Sequence, residues 1–178
     1  AAVVTVLVGQ ADARDLTGDL TITTANDEVT DDVSVLLGTG LTSIASFAGD
    51  EVDVDANGAP DDQTVTLTGA GNFAVSDLVG DIDADGAGGQ LVAELANPDG
   101  NGEITIDSDR LTEIGASQLE AGDTLFLAGS GDIEIVDETA SRWDNSQEGI
   151  KAGLIDASAS TGAITVNTAA ISGDSTVS

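Results

Sequence analysis

Short runs in which aliphatic residues alternate with polar ones recur about every ten residues along the whole chain. Early examples are VVTVLV (3–8), LTIT (20–23), VSVLL (33–37), EVDVD (51–55), TVTLT (64–68) and FAVSDL (73–78). Later ones are LVAEL (91–95), EITID (103–107), TLFLA (124–128), DIEIVD (132–137) and AITVNT (163–168). A period of two sends successive side chains to opposite faces of a strand, and Val, Ile and Thr suit that conformation. Between the runs lie Gly, Asp, Asn and Thr, and both prolines, Pro60 and Pro98, sit beside such residues. These are turn formers. Only DETASRWDNSQEGIKAG (137–153) has helical character, enough for one short helix. The expectation is an all-β chain.

The apolar residues that would fill its core are small. They make up 40% of the 178 residues, yet there are three Phe, one Trp and no Tyr or Met. Such a core is thin, which suits stacked or facing strands. The chain also matches itself. ADARDLTGDLTIT (11–23) aligns with IDADGAGGQLVAE (82–94) and with IDASASTGAITVN (155–167). LTSI (41–44) returns as LTEI (111–114), AGD (48–50) as AGD (121–123), and TVTLTGAGNFAV (64–75) as TLFLAGSGDIEI (124–135). This spacing divides the chain into a partial β-repeat unit over 1–30, a unit over 31–97 and a unit over 98–178, the last lengthened by an insertion near 141–151. Repeats that share one pattern stack, each covering the apolar face its neighbour exposes. The expected fold is a repeat-built parallel β-solenoid, several coils to a unit, with tandem small β-sandwich domains as the alternative.

Charge narrows the function. Thirty-three acids face four bases, a formal charge of −29. Such a surface repels phosphates, so nucleic acid and anionic membrane surfaces are excluded as partners. Self-repulsion also strains the compact state, which calls for bound divalent cations or a salty medium. No apolar run approaches the roughly 18 residues of a membrane span, so no membrane insertion is expected, and AAVVTVLVGQ reads as a strand, not a signal peptide. With no Cys and no His, there is no disulfide framework, no thiolate site and no histidine base.

Three segments share the spacing acid or amide, any, acid or amide, any, acid or amide, Gly: Asp53-Val-Asp55-Ala-Asn57-Gly58, Asp81-Ile-Asp83-Ala-Asp85-Gly86 and Asn97-Pro-Asp99-Gly-Asn101-Gly102. This is the opening half of a calcium loop, in which alternate oxygens point inward and glycine permits the sharp turn. The closing bidentate Glu is missing, since Thr64, Val92 and Ser108 fall there. The segments are therefore not EF-hands but looser candidate calcium sites, completed by acids such as Asp61, Asp62, Asp107 or Asp109. All-oxygen donors favour calcium over zinc. The competing reading is turn chemistry, because Asp, Asn and Gly build turns and the chain has 24 Asp. In strands about 4.8 Å apart, facing carboxylates repel by on the order of 1 kcal/mol per pair even in water. A divalent cation would reverse that.

Catalysis finds little support. A triad is impossible without His, Lys151 alone would have to serve Ser–Lys chemistry, and no carboxylate pair stands out for glycoside cleavage. GTG (38–40), GAG (69–71) and GSG (129–131) read as tight turns between strands. Trp143, beside Arg142, is either a local plug or an anchor for a partner.

TLTGAGNFAVSDL (66–78) with DIDADGAGGQLVAEL (81–95), and the copy TLFLAGSGDIEI (124–135) with LIDASASTGAITVNT (154–168), resemble the strand repeats of bacterial crystalline surface-layer proteins and of giant repeat adhesins exported by type I secretion. The resemblance implies an acidic, cysteine-free, calcium-dependent β-repeat chain outside the cell. The nonapeptide G-G-x-G-x-D calcium repeat of that secretion class is absent. The expected function is therefore non-enzymatic: a secreted cell-surface protein that self-assembles as a homo-oligomer into a surface layer, sheath or fibre, with calcium bridging acidic loops. Two alternatives are a filament built by donating the N-terminal strand AAVVTVLV to the next subunit, and a calcium-dependent adhesin that binds a cell-surface glycan.

Overall fold

The computed structural model describes residues 1–7, 9–24, 32–98, 102–136, 150, 152–167 and 176–177. No helix occurs among the described residues, and the alternating runs become strands. These are β1 (Ala2–Leu7), β2 (Gln10–Asp12), β3 (Leu20–Thr24), β4 (Asp32–Leu36), β5 (Thr42–Ser46), β6 (Glu51–Asp55), β7 (Thr64–Gly69), β8 (Asn72–Leu78) and β9 (Asp81–Ala87). They continue with β10 (Leu91–Leu95), β11 (Glu103–Ser108), β12 (Thr112–Gly115), β13 (Thr124–Gly129), β14 (Ile133–Val136), β15 (Leu154–Ser160), β16 (Ile164–Asn167) and β17 (Thr176–Val177). Most of the helical candidate 137–153, with Arg142, Trp143, Lys151 and nearly all of the insertion, lies outside the described residues. Near its end, Ile150 and Ala152 are buried in the core.

Odd-numbered strands form one nine-stranded sheet, sheet A, and even-numbered strands form an eight-stranded sheet, sheet B. Every pairing is parallel and joins strands two apart in the chain. The chain therefore crosses from one sheet to the other at each corner and returns one rung further on, which is a β-solenoid. Alternation is what closes it. In β7 the inward Val65 and Leu67 are fully buried while Thr64, Thr66 and Thr68 face out. Inward side chains stack in register, as in Ile22–Ile44–Leu67 on sheet A and Val33–Val52–Phe73–Leu91 on sheet B. Aliphatic residues from both sheets merge into one core, with Phe73 the largest fully buried side chain.

The corners follow from backbone sterics. Gly69 and Gly129 end equivalent strands β7 and β13 with φ of 95° and 92°, a region that L side chains rarely enter. A Cβ at either would also collide with a carbonyl of the coil below, that of Ser46 or Ser108. The GTG, GAG and GSG segments accordingly all lie at turns between strands.

The internal matches take on a geometric meaning. Segments 64–75 and 124–135 both run from sheet A to sheet B, as do 82–94 and 155–167. Segment 11–23 runs the other way, and LTSI lies in β5 of sheet A while LTEI lies in β12 of sheet B. One strand plus one corner is thus a module that works on either side of the solenoid.

Candidate functional site

The acids have three distinct placements. The first is the strand bend. Asp12, Asp55, Asp83 and Asp156 each precede Ala, and each Oδ1 accepts the backbone N–H two residues on: from Arg14 at 3.2 Å, Asn57 at 3.0 Å, Asp85 at 3.3 Å and Ser158 at 2.9 Å. Such Asx turns satisfy an N–H that leaves the ladder. In β9 and β15 the bend is a bulge, since Thr66 pairs with Asp83 but Thr68 with Gly86, and Phe126 with Asp156 but Ala128 with Ala159. The intervening Ala turns inward, and Ala13, Ala56 and Ala84 are buried. This Asp-Ala-x unit is what the three aligned segments share. Hydrogen bonds from Arg14, side chain first and backbone second, hold Asp12 down to about 2. The same kind of bond, from Ser158, lowers Asp156.

The second placement stitches one coil to the next. Asp81 Oδ1 accepts Thr105 N–H at 2.7 Å, Asn72 Oδ1 accepts Gln90 N–H at 2.9 Å, and Asp132 Oδ1 accepts Ala163 N–H at 2.9 Å. Asp109 Oδ1 accepts both the N–H and the hydroxyl of Ser130, at 2.9 and 2.7 Å, which lowers its pKa. Asp50 and Asp123 do this from inside the fold, being 3% and 1% exposed. Each closes an x-Ala-Gly-Asp turn by accepting the N–H of its first residue, Phe47 at 3.3 Å or Glu120 at 2.7 Å. Asp50 also accepts the Thr24 hydroxyl, and Asp123 accepts Gly102 N–H at 3.0 Å. The repeated AGD was visible as a repeat, but its burial was not, because the motif gives no sign that the carboxylate turns inward.

The third placement is a cluster on the outer face of sheet A. Asp83 pairs in register with Asp107, and Asp85 and Asp109 lie beside them. Partial burial, then the charge and a shared hydrogen bond of Asp85, then the charges of Asp83 and Asp109, push Asp107 above the ordinary aspartate range. Asp77, in the left-handed region at φ 55° in β8, is also raised, by burial first and by Asp55 second.

The sequence-derived calcium candidates are distributed as follows. Asp53 and Asp55 lie in β6 on sheet B, and exposed Asn57 follows in a turn closed by Ala59 N–H to Ala56 carbonyl at 2.8 Å. Asp81, Asp83 and Asp85 lie in β9 on sheet A. Both segments read as loop openings are therefore largely strand, because Val, Ile and Ala at alternate positions fill the core. Asn97 is exposed after β10, and Asp99 and Asn101 lie outside the described residues. The fold sends the first two segments to opposite faces. It brings Asp83 and Asp85 to Asp107 and Asp109, two of the four acids named as completing ligands, while Asp61 and Asp62 are exposed in the turn before β7. Among the described residues, no three acids form a ready metal cage. The N-terminal run forms β1, paired in parallel with β3 of its own chain.

Comparison with protein-family models, with curated proteins and with solved structures finds no match.

Proposed function

We propose that this chain is a non-enzymatic structural module of an extracellular assembly, a surface layer, sheath or fibre, in which calcium draws acidic faces together within and between copies. The observation that carries the reading is the carboxylate cluster on the outer face of the solenoid, where Asp83 stands in register with Asp107 and the charges of Asp85, Asp83 and Asp109 crowd Asp107. A parallel solenoid is a rigid rod whose coils repeat along one axis, a shape suited to spacing and stacking. Its surface carries negative charge that the four bases cannot neutralise. Of the two described bases, Arg14 is paired with Asp12 at 2.6 Å and Arg110 Nε donates to the Ala87 carbonyl at 3.1 Å. Asp83, Asp85, Asp107 and Asp109 offer only oxygen donors, the set that calcium takes. A cation there would draw the side chains closer than they now stand and relieve the crowding that raises Asp107.

The test is thermal unfolding and electron microscopy with calcium, with EDTA, and with sodium chloride at matched ionic strength. Calcium should raise the melting temperature and promote ordered polymer, and the Asp83→Asn/Asp107→Asn double variant should lose that response. A melt indifferent to chelator at moderate ionic strength, or equal stabilisation by sodium chloride, would replace calcium bridging with adaptation to salt.

A further inference from the structure

We propose that the outer face of β3, β5 and β7 is a binding site for a neutral saccharide. This goes beyond the assembly reading and does not depend on it. A shallow depression of about 300 Å³ lies on this face, lined by Asp19, Thr21, Leu41, Ser43, Thr64 and Thr66 among others. That volume is at the small end of ligand sites. Thr21, Ser43 and Thr66 form one cross-strand row, so hydroxyls repeat about every 4.8 Å across the sheet and about every 6.6 Å along it.

Two features of this face bear on a ligand. Hydroxyls of Thr24, Thr42, Ser46 and Thr68, on the same three strands, are all bonded inside the fold. Those of Thr21, Ser43, Thr64 and Thr66 have no hydrogen bond among the described residues, and they converge on the depression. Leu41 beside them is 61% exposed, one of three large apolar side chains so exposed among the described residues. A sugar ring presents the matching groups: hydroxyls that both donate and accept, as Thr and Ser do, and an apolar C–H face for Leu41. The Asp19 carboxylate is an acceptor for further sugar hydroxyls. No cation lines the depression, and a molecule of charge −29 repels anionic sugars. A peptide that extends a sheet adds at a strand edge, not across a face. The footprint, on the order of 100 Å², is far below the ~800 Å² that each partner gives to a stable protein interface.

The test is a ¹H–¹⁵N titration of the whole chain in EDTA, which removes any calcium-linked assembly from the outcome. The probes are maltotriose, cellotriose and tri-N-acetylchitotriose, with trigalacturonate as the anionic control. At least one neutral trisaccharide should shift the amides of Thr21, Ser43, Thr64 and Thr66, and trigalacturonate should not. Thr64→Val/Thr66→Val keeps β-branched strand formers and should weaken binding about tenfold by removing two hydroxyl contacts. Leu41→Asp, at an exposed position, should abolish it. The proposal is overturned if no neutral probe shifts these amides at tens of millimolar, if trigalacturonate binds equally, or if both folded variants bind like the parent.

Discussion

On β3, β5 and β7 the outward row of sheet A reads Thr21–Ser43–Thr66, and on the next two rungs the same row reads Asp83–Asp107. The strands beneath are of one kind. Ile22, Ile44 and Leu67 are buried under the hydroxyls, and Ile82 and Ile106 under the carboxylates. A parallel ladder and an inward aliphatic row suffice to hold a rung in place, so the outward residue is free to carry chemistry. The two halves of the face then differ in energy. Hydroxyls can donate to one another, whereas carboxylates in register can only repel or capture a cation.

The largest perturbation should ignore that difference. Ile44→Ala beneath the hydroxyl rungs and Ile106→Ala beneath the carboxylate rungs should each cost about 2–5 kcal/mol in denaturant unfolding, because both sites are fully buried in one packed core. A small loss at one of them would mean that the two halves do not share a core. A surface exchange should then separate them. In EDTA at low ionic strength, Asp107→Thr should stabilise by about 1 kcal/mol, the scale of one carboxylate repulsion, and Thr66→Asp, which would face Asp83, should destabilise by a similar amount. Both effects should shrink as salt rises. Persistence of either in high salt would assign it to packing instead of charge.

The smallest effect is in pH. Asp107 has a folded pKa raised above its ordinary 3.8, so the fold holds more protons there than the unfolded chain does. Its contribution to stability therefore grows as pH falls through the raised value towards 3.8, and is lost as pH rises through it. Asp109 and Asp156 have lowered values. Their contribution is present above 3.8 and disappears as pH falls through their folded values. Melting in EDTA should show a gain in stability on mild acidification that Asp107→Thr reduces to the share of Asp77, whose pKa is also raised, followed by a loss below 3.8 that the variant leaves in place. The row Thr21–Ser43–Thr66 carries no carboxylate and contributes to neither.

Much of the fold was legible before any coordinate. Val65 and Leu67 alternating with Thr64, Thr66 and Thr68 can bury only one face, and the recurrence of such runs points to stacked coils. The candidate site was legible only in part. Asp-Ala-x at Asp55 and Asp83 carries the spacing of a calcium loop, and one oxygen of each carboxylate accepts a local backbone N–H. The D-x-D spacing alone does not show that an Asp at a bend also accepts a hydrogen bond from its own main chain. The inward carboxylates of Asp50 and Asp123 gave no signal, because turns with the same letters occur on surfaces.

By itself the sequence determined that this protein is β and that one side of each strand is apolar, since these follow from period-two patterning; the choice of stacked coils over tandem sandwiches was made by the parallel pairing of strands two apart. Tertiary structure alone decided which residues meet across coils. Thr42 pairs with Val65, Val65 with Ile82, and Ile82 with Ile106, so steps of 23, 17 and 24 residues separate successive rungs. Corners of unequal length leave no fixed count by which to predict a neighbour. The meeting of Asp83 with Asp107, and of Thr21 with Ser43 and Thr66, is set by how each corner closes against the coil beneath it.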